Sequence, residues 1–125
     1  MRIGVIGAGA WGTALAQVAA AGGEPVTIWA LEPEVAESIN RDHENQLYLK
    51  GLRLSPSIRA TGDLADLADC EAILVVTPAQ HLRAVLDGLS ATARPLVLCA
   101  KGIEAGTGLL MHEVARGAQP GSPIA

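Results

Sequence analysis

The segment Gly7-Ala8-Gly9-Ala10-Trp11-Gly12 is the strongest constraint on what this chain can become. It follows a short apolar run at residues 2–6, which reads as a buried first strand. It opens a stretch in which Trp11, Leu15, Val18 and Ala19 recur at helical spacing, stopped by Gly22-Gly23. A chain that leaves a strand and enters a helix across so few residues needs glycine in three places. Gly7 permits the sharp turn, Gly9 lets the backbone approach a phosphate closely, and Gly12 lets the helix pack on the strand. The helix N-terminus then faces whatever anion occupies the turn. Glycine-rich turns are common, so the flanking strand and helix, with a second strand at Val26–Trp29, give the motif its meaning.

The rest of the chain repeats the alternation. Pro33 suits the first turn of a helix that carries Val35 and Ile39 on one side. Residues 40–57 are polar and irregular and read as a loop excursion, followed by a short strand at Ile58–Thr61. Asp63 is placed to cap a short helix through Leu64 and Leu67. Residues 72–76 read as a buried strand, and Thr77-Pro78-Ala79-Gln80 matches a capping box with proline at the first helical position. Leu82, Val85, Leu86 and Leu89 continue that helix face. A further strand is expected at residues 96–100, a last helix through Leu110 and Val114, and the start of a sixth strand at Pro123-Ile124-Ala125. The expected architecture is α/β: a Rossmann-type, doubly wound parallel sheet in strand order 3-2-1-4-5, occupying residues 1–125 as one dinucleotide-binding domain. The tail reads as a sheet cut short before its last strands.

Composition narrows the function. The net charge of −4 and pI near 5.2 do not suit a general nucleic-acid binder. No window approaches the apolar length of a membrane span or a secretory leader. Cys70 and Cys99 have no metal-type spacing and read as reduced cysteines of a cytoplasmic protein. His43, His81 and His112 share no ligand spacing either, although His81 falls beside the expected nucleotide crevice. Asp63, Asp66 and Asp69 form a row that reads as a solvated face. No nucleophile–base pair or paired carboxylates stand out.

Two residues beyond the glycine turn carry chemistry by position. Glu32 lies about 20 residues after the glycines, where an NAD site places an acid on the ribose 2′-hydroxyl. No Arg or Lys adjoins it, which favours NAD over NADP, although an acid there also suits the N-terminus of the next helix. Lys101 follows an apolar strand, at the end of the sheet where ligands bind, as a point charge for a phosphate or carbonyl oxygen or as a solvated loop lysine.

Several segments together resemble the bacterial NAD(P)-dependent glycerol-3-phosphate dehydrogenases. They are Gly7-Ala8-Gly9-Ala10-Trp11-Gly12-Thr13-Ala14-Leu15-Ala16, Val26-Thr27-Ile28-Trp29-Ala30, His43-Glu44-Asn45-Gln46-Leu47-Tyr48-Leu49 with Gly51, Val75-Val76-Thr77-Pro78-Ala79-Gln80, and Ala100-Lys101-Gly102-Ile103-Glu104. The resemblance implies hydride transfer between a nicotinamide and glycerol 3-phosphate or dihydroxyacetone phosphate, in a parent protein compatible with a homodimer. It implies cofactor contacts at Gly7, Gly9, Ala10, Trp11, Gly12, Leu31, Glu32, Thr77, Pro78, His81 and Lys101, with Lys101 also touching substrate. Relatives with a basic residue near the Leu31-Glu32 position contrast with this chain, and their Tyr-Leu-Pro-Gly is Tyr48-Leu49-Lys50-Gly51 here. The family's next turn and its helical C-terminal domain, with the acid–base lysine and phosphate-binding residues, have no counterpart in these residues, so no catalytic residue is expected in this chain. The fragment alone is expected to be inactive. Another reductase of similar layout, such as a ketopantoate or hydroxyacid reductase, and a nucleotide-sensing regulatory domain are the alternatives.

Overall fold

Along the first and fourth strands, side chains alternate between two apolar layers, and that alternation organises the molecule. The computed structural model describes residues 1–125. In chain order the elements are β1 (Ile3–Ile6), α1 (Ala10–Ala19), β2 (Val26–Trp29), α2 (Pro33–Asp42), β3 (Ile58–Thr61), β4 (Ala72–Val75), α3 (Leu82–Gly88), β5 (Leu96–Leu98) and α4 (Met111–Ala118). Short 3₁₀ turns lie at Ala21–Gly23, Leu64–Leu67 and Ala79–His81. The strands form one parallel sheet in the order β3-β2-β1-β4-β5, as expected from the sequence. In register, Val5 sits between Ile28 and Leu74, and Ile6 between Trp29 and Val75.

Val5, Ile28 and Ala60 face α1 and α2, where they meet Ala16, Val35 and Ile39. Ile6, Ile73, Val75 and Leu96 face the other way, onto Leu82, Leu86 and Val114. With no Phe in the chain, these layers are built from aliphatic side chains. Residues such as Ile6, Ile28 and Leu86 are fully buried, each stabilising the fold by about 1.5–3 kcal/mol relative to exposure.

Several boundaries differ from the sequence reading for local reasons. The helix α2 continues to Asp42, past the expected loop start at Asn40, and ends where His43 takes a left-handed conformation at φ 51°. The expected capping box at Thr77-Pro78-Ala79-Gln80 does not form. Pro78 adopts an extended conformation (φ −54°, ψ 146°) and leads into a 3₁₀ turn, so α3 begins only at Leu82. The Gln80 side chain turns instead to the loop after β5, where its Nε2 donates to Ile103 O at 3.0 Å. Asp63 does cap, accepting from the Ala65 amide at 3.0 Å. Leu89, expected on the α3 face, lies just beyond its end yet remains buried. The strand β1 begins one residue later than expected, and β4 and β5 end before their expected limits; Val76 still donates from its amide to Ile6 O at 2.8 Å.

Both margins of the sheet carry further hydrogen bonds. Beside β5, the Leu96 amide donates to Pro123 O and the Leu98 amide to Ala125 O, each at 2.9 Å. The expected sixth-strand segment is therefore paired, in parallel, through a bridge between Leu96 and Ile124. Beside β3, the Asn40 side chain donates to Ala60 O at 2.9 Å and accepts from the Ala60 amide at 2.8 Å.

Candidate functional site

At the carboxyl end of β1 the backbone turns through Gly7, whose φ of +113° few L side chains adopt. A Cβ at Gly7 would also lie 3.0 Å from Val76 O. A Cβ at Gly12 would stand 1.9 Å from Gly7 O, so only glycine allows α1 to start against β1. Gly9 differs: its φ is ordinary and nothing lies within 4 Å of where its Cβ would be. The space beside Gly9 is open. Gly9 precedes α1 without a side-chain cap, and no acidic residue occupies the first turn. The partial positive charge of this helix end is left uncompensated by the protein.

That helix end borders a cleft of about 600 Å³. Ten of the eleven residues expected as cofactor contacts line it: Gly7, Gly9, Ala10, Trp11, Gly12, Leu31, Glu32, Thr77, Pro78 and His81. Lys101 does not. It is exposed in the loop after β5 and takes part in no hydrogen bond or ion pair. The cleft wall also includes Ala8, Trp29, Tyr48, Val76, Ala84 and Val85, which the sequence reading did not assign. Of these, Tyr48 had a signal, because it stands in the Glu-Asn-x-x-Tyr-Leu segment. The others are small or apolar residues whose spacing fits an ordinary core. No Lys or Arg lines the cleft.

Thr77 is the one buried polar group of the wall without a partner. The residue is 4% exposed and its Oγ1 makes no hydrogen bond. An unpaired buried hydroxyl is costly, and this one lies covered within the cleft wall rather than on its surface. At the opposite end of the cleft the Tyr48 hydroxyl donates to Glu32 Oε2. That hydrogen bond to the carboxylate holds the phenol above the ordinary tyrosine range; burial and the negative charges of Glu32 and Glu34 push the same way.

The loop that brings Tyr48 to the cleft is a built structure. Asn45 has no exposed surface; its Nδ2 donates to Ala8 O and to Thr13 Oγ1, each at 2.9 Å, and its Oδ1 accepts from the Tyr48 amide at 3.1 Å. Glu44 accepts from the Gly51 amide at 3.0 Å, and the Leu49 amide donates to Asn45 O at 2.9 Å. The Lys101 loop is held equally firmly. Arg83 makes a two-pronged pair with Glu104, at 2.9 and 3.0 Å, and Thr107 adds a hydroxyl bond at 2.6 Å. The bonds from Arg83 and Thr107 hold the Glu104 carboxyl below its usual range.

The remaining candidates are structural. Asp63 caps its turn, Asp66 accepts from Thr61, and Asp69 meets Arg2 at 3.6 Å, all on the surface. Cys70 is buried, Cys99 half-buried, and both are free; burial pushes both thiols up. No group of three potential ligands is placed to hold a metal, and no helix is long and apolar enough to cross a membrane.

Comparison with known proteins decides the family. A family profile described as the N-terminus of NAD-dependent glycerol-3-phosphate dehydrogenase matches residues 2–125. The chain belongs to this family. The glycerol-3-phosphate dehydrogenase [NAD(P)+] of Caulobacter vibrioides is 57% identical over 99% of the chain, and that of Rhodospirillum rubrum 53% identical over 99%. The chain spans 38% and 37% of the length of these two relatives. Among solved structures, the family member from Coxiella burnetii superimposes with a TM-score of 0.87 at 29% identity, covering 98% of this chain and 39% of its own. A ketopantoate reductase from Ralstonia eutropha gives a TM-score of 0.69 at 14% identity, covering 99% of this chain and 40% of its own, and so shares the fold alone. The dehydrogenase family, and not that reductase layout, accounts for the sequence.

Proposed function

We propose that this chain is the domain that holds the nicotinamide dinucleotide in a glycerol-3-phosphate dehydrogenase. The parent reaction interconverts dihydroxyacetone phosphate and glycerol 3-phosphate, a precursor for phospholipid synthesis. The observation that carries the reading is the uncapped α1 N-terminus at Gly9, opening onto a cleft that ten of the eleven expected cofactor contacts line. An anion at the glycine turn would meet the helix dipole and backbone amides. Glu32 keeps one carboxylate oxygen free of Tyr48 and suits a ribose hydroxyl. Thr77, Pro78 and His81 flank the other half of the cleft, on the side toward Lys101.

When bound, the nicotinamide supplies the hydride chemistry. The contribution of these residues is to bind and orient it, with Trp11, Leu31 and Trp29 giving apolar walls that displace water. Lys101 is assigned to both cofactor and substrate, as a cation for a phosphate or carbonyl oxygen. We assign the proton transfer at the substrate oxygen to groups outside this chain, in keeping with its match to 38% of the Caulobacter relative. NAD is the preferred cofactor, because a 2′-phosphate beside Glu32 and Glu34 finds no cation on the cleft wall. The free state of both cysteines accords with a reducing cytoplasm.

The test is a calorimetric titration of the 125-residue chain with NADH, NADPH and ATP. NADH is expected to bind more tightly than NADPH, and ATP weakly. Equal binding of ATP and NADH would instead favour a general nucleotide sensor, and no binding of either dinucleotide would overturn the proposal. No oxidation of glycerol 3-phosphate by the chain alone is expected.

A further inference from the structure

Lys101 reaches for nothing in its own domain, yet the loop beneath it is fastened on both sides. Upstream, the Cys99 amide donates to Val75 O at 2.8 Å, tying the loop to the end of β4. Downstream, Gln80 holds two backbone groups at once: its Nε2 donates to Ile103 O at 3.0 Å and its Oε1 accepts from the Ala105 amide at 2.8 Å. One turn along, Arg83 grips Glu104 through Nε and Nη2. Gly102 lies at φ +132°, and a Cβ there would be 3.4 Å from Ala79 Cβ, so the loop crosses close over the turn before α3.

These contacts join positions 21 to 25 residues apart and converge on the three residues that follow Gly102. The same turn carries Thr77, Pro78 and His81 on the cleft wall. We propose that Gln80 and Arg83 are positioning residues for Lys101, latching its loop to the turn that forms the cleft wall so that the free ammonium stands at a fixed place beside the bound dinucleotide and substrate. This rests on the assignment of Lys101 to the ligand side. It extends that assignment by explaining why Gln80, which by spacing suits a cap on its own helix, is turned away from it. A planar two-pronged guanidinium–carboxylate pair holds orientation as well as distance, which a lysine at position 83 would not reproduce.

A latch that only stabilised α3 would lower stability without acting through Lys101, and a double-mutant cycle separates the two. NADH affinity of the full 125-residue chain is measured for Lys101→Ala, Arg83→Met and the double variant, together with amide hydrogen exchange across residues 99–107. Glu104→Gln serves as a milder break in the pair where Arg83→Met does not fold. Lys101→Ala is expected to weaken NADH about three- to ten-fold, as for loss of one partly solvated charge contact. Arg83→Met, or Glu104→Gln, is expected to lose a similar factor and to exchange faster in residues 99–107, with β1 and α1 unchanged. The double variant is expected to bind no more weakly than Lys101→Ala alone. Additive losses, or faster loop exchange with wild-type affinity, overturn the latch. An unchanged Lys101→Ala titration overturns the prior assignment of Lys101, and the latch with it, whatever Arg83→Met does.

Discussion

Asn45 is bonded to the carbonyl oxygen of Ala8 across 37 positions of sequence, at 2.9 Å and with no solvent access. The contact joins the glycine turn to the loop that carries Tyr48. It also keeps the Ala8 carbonyl occupied, so that the turn offers its amides rather than an oxygen to an incoming anion. Asn45→Asp keeps the shape and removes both N–H donors. The expected outcome is a loss of about 2–3 kcal/mol in stability, from a buried carbonyl left unpaired beside a new carboxylate. NADH affinity should fall at least about ten-fold in the same variant, since its charge would face the phosphate side of the turn. Urea unfolding and calorimetric titration together check this; a stable variant with unchanged affinity would refute it.

The glycines at 9 and 12 should fail in opposite ways. Gly12→Ala drives a methyl into Gly7 O, 1.9 Å from the ideal Cβ position, and should destabilise by more than about 3 kcal/mol. Gly9→Ala meets no protein atom and should change stability by no more than about 1 kcal/mol. Its methyl projects into the open space at the helix end, so NADH binding should drop at least about ten-fold. Thermal melts and titrations of both variants test the contrast. Gly9→Ala retaining full affinity would detach the turn from ligand binding.

Tyr48 and Glu32 make a pH-readable pair. The hydrogen bond to the Glu32 carboxylate, aided by burial and nearby negative charge, favours the protonated phenol. A raised folded-state pKa means that this contribution is fully present below the ordinary tyrosine range and is lost as pH rises through the folded value. An ultraviolet titration should therefore place phenol ionisation above its ordinary range, and Glu32→Gln should bring it back down. An unshifted titration in the wild-type chain would show that the pair is not formed in solution.

Cofactor choice should respond to charge at the rim near β2. Leu31 lines the cleft and is 75% exposed, so Leu31→Arg places a guanidinium there without disturbing the core. NADPH affinity relative to NADH should rise about ten-fold, because a 2′-phosphate gains the cation that the wall lacks. Competition between the two reduced cofactors measures the ratio directly; no change in the ratio would place the ribose elsewhere.

How much of this was legible in the sequence depends on distance along the chain. The glycine turn, the strand order and the two-sided burial were readable, because each is a local period or a short motif. Ten cofactor candidates were found from motif and resemblance, and the structure gathers them on one cleft. Gln80 was read as a cap on its own helix, and the long-range contacts of Asn45 and Arg83 were not foreseen, since the partners of the three lie 23, 37 and 21 residues away. Gln80 is the instructive case. Three residues after a threonine it fits a capping box, but the extended Pro78 delays the helix, and the side chain pairs with a distant backbone instead.

The Asn40 side chain beside β3 has a consequence for how these molecules treat one another. By accepting from the Ala60 amide and donating to its carbonyl, it imitates the next strand at the open margin of the sheet. A margin so occupied offers fewer free groups to a neighbouring molecule. Replacing Asn40 with leucine should therefore reveal itself first as concentration-dependent aggregation, with the glycine turn still intact at high dilution.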